Sequence, residues 1–121
     1  MRFLWIFLPN LIFAEAMVSW ITPPPAQVTR DQEIVVSWKV VDMPGSYRAL
    51  FTVCPLEKGP HCKKNENRQQ GKVQNASESG SYEQKFTFDP DTPPGQYYAV
   101  GYAAYSTRNF QSTPPVLIEY K

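Results

Sequence analysis

The stretch "PPGQYYAVGYAAYS", Pro93 to Ser106, holds four tyrosines, three alanines and two glycines, with Val100 as its only other large apolar residue. Successive side chains of a β-strand point to opposite faces, so the stretch has two possible phases. The inward residues of the first phase are Tyr98, Val100, Tyr102 and Ala104. Those of the second are Tyr97, Ala99, Gly101 and Ala103. The first set is bulkier, and hydrophobic burial therefore favours it.

The favoured phase places Tyr98 just after the Pro94-Gly95 turn. A tyrosine hydroxyl at that position can reach back to the backbone of the turn, which is the tyrosine corner of Greek-key sandwiches. The tyrosines therefore have mainly a structural explanation. Tyr105 and Phe110, near and beyond the strand end, are less easily assigned to a core.

Other parts of the chain alternate in the same way. "EIVVSWKVV", Glu33–Val41, places Trp38 on its apolar side, and "YRALFTVC" begins a second strand at Tyr47. "YEQKFTF" and "VLIEY" are further strands, and no segment after Ala16 has helical periodicity. Short strands separated by turns predict an all-β sandwich or barrel. The predicted core contains Trp38, Tyr47, Phe51, Tyr98, Val100 and Tyr102.

Several motifs together resemble fibronectin type III domains. "PPGQYYAVGYAA" is similar to the penultimate strand of that family, P-G-x-x-Y-x-V-x-V-x-A, with Tyr102 replacing the second valine. "EIVVSWKVVDMPGSYRALF" resembles its early strands, "TPPPAQVT" its start and "QSTPPVLIEY" its last strand. The resemblance spans residues 22–121. It implies an extracellular, two-sheet antiparallel Greek-key sandwich of the fibronectin III/immunoglobulin-like type.

The chain also departs from the fibronectin pattern. A cysteine pair follows the third strand, and the interval from Trp38 to Tyr98 implies an insertion. "YSTRNFQS" occupies the place of the W-S-x-W-S element of cytokine receptors without matching it. Other immunoglobulin-like sandwiches with a P-G-x-Y strand would place Tyr97 in the core, and this alternative stays open.

Residues 1–16, "MRFLWIFLPNLIFAEA", have the layout of a secretory signal peptide. Arg2 precedes an apolar run, and Ala14-Glu15-Ala16 provides an A-x-A cleavage pattern. The run is shorter than the ~20 residues of a spanning helix. The alternatives are a short uncleaved anchor or a buried strand. We expect one secreted domain, residues 17–121, without a membrane span.

Secretion favours a disulfide between the only two cysteines, Cys54 and Cys62, across a turn-forming "PLEKGPH". A metal site from this pair and His61 offers only three ligands, two of them adjacent, which is unlike structural zinc. Asn75-Ala76-Ser77 is an N-glycosylation sequon in a polar segment, and we expect Asn75 to be modified.

The sequence predicts no catalytic site, metal or cofactor. His61 is the only histidine, and both cysteines are expected to be oxidised. Asp89 and Asp91 lie in a proline-rich turn, where aspartate usually accepts backbone hydrogen bonds. A net charge of +1 gives no electrostatic case for nucleic acid.

Three functional hypotheses follow. The first is a secreted interaction module that binds an extracellular or cell-surface protein through Tyr105, Arg108 and Phe110, since these residue types are enriched at interfaces. The second is a carbohydrate- or cell-wall-binding module that uses Tyr97 and Tyr105 as stacking platforms. The third is a small secreted enzyme or inhibitor, which would need a cleft joining His61 to a carboxylate.

The leader generates the first prediction. Expressed with residues 1–16, the protein should leave the cell and begin at Met17, because the A-x-A pattern ends at Ala16. N-terminal sequencing of the medium measures this directly. An intact Met1 terminus, or product confined to the cytosol, would contradict the extracellular assignment.

Overall fold

The computed structural model describes residues 17–121, and the predicted leader, residues 1–16, lies outside them. The chain over this range is nearly all β, with one 3₁₀ turn at Leu56–Lys58. The strands are β1 (Met17–Thr22), β2 (Gln27–Val28), β3 (Ile34–Val41), β4 (Tyr47–Pro55), β5 (Gln69–Gln70), β6 (Gln74–Ala76), β7 (Gly80–Phe86), β8 (Gly95–Ala104), β9 (Phe110–Ser112) and β10 (Val116–Tyr120).

These strands form two sheets. The smaller sheet has the order β1-β3-β7 and is antiparallel. The larger sheet has the order β2-β10-β8-β4-β5, with β6 paired to β4 and β9 paired to β8. Their facing sides share one apolar core, in which Phe51 of β4 meets Phe86 of β7 at a ring-centroid distance of 5.3 Å.

The larger sheet is mixed rather than wholly antiparallel, because β2 runs parallel to β10. Backbone hydrogen bonds from Glu119 to Ala26 and from Lys121 to Val28 hold this pair, at 2.8 and 2.9 Å. Pro23-Pro24-Pro25 lies between β1 and β2. Because proline has no N–H to donate, these residues cannot extend the hydrogen bonding of β1 with β3. After them the chain enters the larger sheet as β2.

Trp38 packs against Gly101 across the core. Trp38 of β3 is fully buried, and its indole N–H donates to the carbonyl of Tyr102 at 3.2 Å. A Cβ placed on Gly101 would lie 2.9 Å from the indole ring. The side of β8 that faces Trp38 must therefore carry small residues.

This requirement reverses the favoured phase of β8, and the prediction that Tyr98 belongs to the core is wrong. Tyr97 is 7% exposed and lies in the core, whereas Tyr98 is half-buried on the opposite face. The Tyr97 hydroxyl donates to the carbonyl of Pro93 at 2.5 Å. The corner interaction therefore exists, and Tyr97 makes it.

The other predicted core residues are all buried, but on two different sides. Trp38, Tyr47 and Phe51 lie in the core between the sheets. Val100 and Tyr102 are buried outside that core, on the outer face of the larger sheet. That face is therefore covered by another part of the chain.

The two neighbouring tyrosines allow a matched test of the phase. Tyr97→Phe should lower the free energy of unfolding by ~0.5–1.5 kcal/mol, because it removes the hydrogen bond to Pro93. Tyr98→Phe should change it by less than ~0.5 kcal/mol, because the hydroxyl of half-buried Tyr98 has no hydrogen-bond partner within residues 17–121. Urea unfolding of both variants measures the difference, and the reverse order would contradict the assignment.

Candidate functional site

The cover of the larger sheet is the segment 55–68, which a disulfide holds in place. Cys54, at the end of β4, is bonded to Cys62, and both residues are buried. The predicted disulfide is thus confirmed. Cys62 also donates its backbone N–H to the sulfur of Cys54 at 3.2 Å, and the segment returns across the outer face of the sheet.

The strand register explains which side chains this segment covers. Tyr98, Val100 and Tyr102 of β8 lie opposite Cys54, Thr52 and Leu50 of β4, so these three cross-strand pairs share the outer face. Phe110 of β9 pairs with Ala104 and joins the same face. The centre of the outer face is therefore largely apolar, and covering it removes this apolar surface from water.

His61, Tyr102 and Phe110 form an aromatic cluster at the edge of the covering segment. The three ring-centroid distances are 5.6 Å (His61–Tyr102), 5.2 Å (His61–Phe110) and 5.2 Å (Tyr102–Phe110). The Nδ1 atom of His61 is hydrogen-bonded to the Tyr102 hydroxyl, which also donates to the carbonyl of Pro60 at 3.3 Å. Tyr102 is buried, whereas His61 is exposed and Phe110 is half-buried.

Burial dominates the electrostatics of this cluster. It raises the pKa of Tyr102 to about 12, so the phenol stays protonated and able to donate. Burial also lowers the pKa of His61, so its imidazole is more readily neutral at physiological pH. The cluster therefore presents a neutral aromatic surface.

The part of the chain that carries His61 has an excess of positive charge. Residues 48–72 contain six lysines and arginines against two glutamates, whereas the rest of residues 17–121 has five cationic and eight anionic side chains. Lys58, Lys63 and Lys64 in the covering segment are exposed, as is Arg48 on the outer face of β4. Arg68 is half-buried and donates to the carbonyl of Cys62 at 3.4 Å.

The structure separates the three residues predicted to bind a partner. Phe110 belongs to the aromatic cluster with Tyr102 and His61. Tyr105 instead packs against the core, and its hydroxyl donates to the carbonyl of Pro44. Arg108 is exposed in the β8–β9 turn, where its backbone N–H donates to the Ser106 hydroxyl at 3.3 Å.

The contact of His61 with Phe110 joins residues far apart in the sequence, and it was not predicted. The two-tyrosine platform suggested for carbohydrate is not formed, because Tyr97 is buried in the core and only Tyr105 remains partly exposed. The hydrogen-bond partner of His61 is Tyr102 rather than a carboxylate.

Asp89 and Asp91 line a polar groove of about 840 Å³ between the disulfide segment and the β7–β8 turn. Asp89 is fixed as a turn residue: its carbonyl accepts from Thr92 at 3.0 Å, and its N–H donates to Gln69 at 2.9 Å. Across residues 17–121, no group of three His, Cys, Asp or Glu side chains could hold a metal ion. No helix in that range is long and apolar enough to cross a membrane.

No protein-family model matches the chain, and no curated protein matches it. Solved structures do match. The β-glucosidase from Listeria innocua in complex with glucose aligns with a TM-score of 0.56 and 10% identity, over 88% of this chain and 16% of that chain. A mutant of the same enzyme in complex with laminaribiose aligns with a TM-score of 0.53 and 8% identity over the same shares. This chain thus spans 16% of the length of those structures, and the likeness concerns the fold alone.

The position of His61 in the disulfide segment leads to a testable prediction about its pKa. The pKa of His61 should lie below its usual value in the oxidised protein and rise toward that value after reduction, because the cover then no longer holds the ring against Tyr102. Burial favours the neutral imidazole, so the pKa of His61 is lower in the folded protein than in the unfolded chain. The contribution of the neutral ring to the free energy of unfolding is therefore fully present above the unfolded pKa of ~6.5, and it is lost as pH falls through the folded pKa. NMR titration of the single histidine measures this. A pKa at or above the ordinary value in the oxidised protein would contradict it.

Proposed function

We propose that the chain is a secreted, non-enzymatic β-sandwich module of the immunoglobulin/fibronectin III-like type, which binds an extracellular or cell-surface protein. The observation that carries the proposal is the aromatic cluster, in which exposed His61 and half-buried Phe110 are fixed over buried Tyr102. The Greek-key assignment is supported by the Tyr97 corner and by the sequence motifs.

The cluster has the physical properties of a binding hot spot. Interfaces concentrate their energy in aromatic anchors, and the surrounding contacts mainly exclude water. Here the disulfide, together with the hydrogen bond between His61 and Tyr102, holds the aromatic side chains in position before a partner binds. Little side-chain freedom remains to be lost, which reduces the cost of association.

The surrounding cations indicate the chemistry of the partner. Lys58, Lys63 and Lys64 are exposed on the segment that carries His61, and Arg48 is exposed on the same sheet face as Tyr102. A complementary protein surface has an apolar side chain at its centre and carboxylates around it. Such charge complementarity accelerates association and makes the rate sensitive to salt.

The proposal predicts opposite results for two faces of the molecule. Phe110→Ala and the double variant Lys63→Glu/Lys64→Glu should each weaken partner binding, Phe110→Ala by about tenfold or more, as expected for a hot-spot residue. The control Lys39→Glu/Lys85→Glu makes the same charge change on the exposed outer face of the smaller sheet and should bind normally.

Binding to cells and to a panel of immobilised extracellular proteins measures these differences, with the melting temperature of each variant as the folding control. A partner lost only through the Lys39/Lys85 change would place the interface on the other sheet. Binding to isolated polysaccharide, with none to protein, would support the carbohydrate hypothesis instead.

A further inference from the structure

A groove of about 470 Å³ lies where β4 begins and β8 ends. Arg48, Ala104 and Tyr105 line it together with the sequon residues 75–77. Of the residues assigned to the proposed binding surface, only Arg48 lines this groove. Its position beside an asparagine sequon requires a separate explanation.

The fold holds the sequon open to solvent. Asn75 lies in β6 opposite Arg48 of β4, and both Asn75 and Ser77 are exposed. The side chain of Asn75 is therefore accessible at the rim of the groove. The segment is at the border of the larger sheet, since β6 pairs with β4.

The walls of the groove fit an N-acetylated sugar. Tyr105 is half-buried and held by its hydrogen bond to Pro44, so it offers a fixed, amphipathic ring for the apolar face of a pyranose. Arg48 lies beside it, with its guanidinium donating to the Tyr105 carbonyl at 3.4 Å. The remaining guanidinium N–H groups can donate to sugar hydroxyl or acetamide oxygens.

We propose that Asn75 carries an N-linked glycan whose innermost N-acetylglucosamine lies in this groove, against Tyr105 and Arg48. The groove is shallow and would hold a free sugar weakly. A sugar attached to Asn75 is held at high effective concentration, so weak contacts are enough to order it. The inference rests on the proposed function only in that the chain must pass through the secretory pathway.

The modification is a group transfer. The side-chain amide nitrogen of Asn75 bonds to C1 of the first N-acetylglucosamine, and the bond from C1 to the diphosphate of a lipid-linked oligosaccharide breaks. The amide loses one proton, and the lipid diphosphate leaves with the electron pair of the broken bond. The Ser77 hydroxyl completes the recognised sequon.

The attachment point of the glycan and the aromatic cluster lie at opposite ends of one row of side chains. Asn75, Arg48, Ala104 and Phe110 form one row across β6, β4, β8 and β9. Three strand spacings of ~4.8 Å place Phe110 about 14 Å from the attachment point. The groove extends along this row as far as Ala104, so the innermost sugar borders the proposed partner surface, whereas Phe110 does not line the groove.

The modification is tested by expressing the full chain in mammalian cells that make only oligomannose glycans, once with its own leader and once with a proven secretory leader. Intact mass should show one glycan on the wild type and none on Asn75→Gln or Ser77→Ala. Asn65→Gln, a matched change outside any sequon, should keep the glycan. A wild type that is secreted unmodified overturns the proposal.

The groove contact is tested by trimming. Endoglycosidase H leaves one N-acetylglucosamine, whereas peptide N-glycosidase removes the whole glycan and leaves an aspartate side chain, so Asn75→Asp is the matched reference. The one-sugar form should melt at a temperature near that of the intact glycoprotein and a few degrees above Asn75→Asp. Arg48→Ala should keep the glycan and reduce that difference.

Equal melting temperatures of the one-sugar form and Asn75→Asp would overturn the groove contact. The two leaders separate this inference from the proposed function. A chain retained with its own leader, but secreted and glycosylated with the proven one, would contradict the secretory assignment and leave the glycan site supported.

Discussion

The packing of Trp38 on Gly101 determines how the two sheets fit together. The indole ring occupies the space that a Cβ at position 101 would need, 2.9 Å away, and donates its N–H to the adjacent carbonyl. At this point β8 can present only small side chains to the smaller sheet. The alternation of the strand then directs the bulky Val100 and Tyr102 away from the core.

The outward position of these side chains explains the disulfide segment. An apolar sheet face in water is unfavourable, and the segment 55–68 covers it with Cys62 and His61. At the edge of the cover, exposed His61 contacts half-buried Phe110, and an aromatic surface remains accessible there. The candidate interaction surface is therefore a consequence of how the core is packed, since the same strand supplies both.

Much of the fold follows from local pattern, because the alternation around Trp38, the turns rich in proline and glycine, and the cysteine pair are all short-range signals. Local pattern does not determine which side chains of β8 face the core. Side-chain bulk within the strand favours an inward Tyr98, and only the partner across the core, Trp38, reverses that preference. Likewise, the contact of His61 with Phe110 depends on β9 pairing with Ala104, a relation between distant parts of the chain. The parallel β2–β10 pair joins the two ends of the described chain and is equally invisible to local pattern.

The double covering of the larger sheet also has a consequence for amide hydrogen exchange. Adjacent central strands β4 and β8 are shielded by the smaller sheet on one side and by the disulfide segment on the other. Their amide protons can reach solvent only when a large part of the domain opens, so they belong to the last region to exchange. In the smaller sheet, β7 is an edge strand with an uncovered outer face, and it exchanges through small local openings. The domain therefore has a graded order of opening, with β4 and β8 as its most persistent unit.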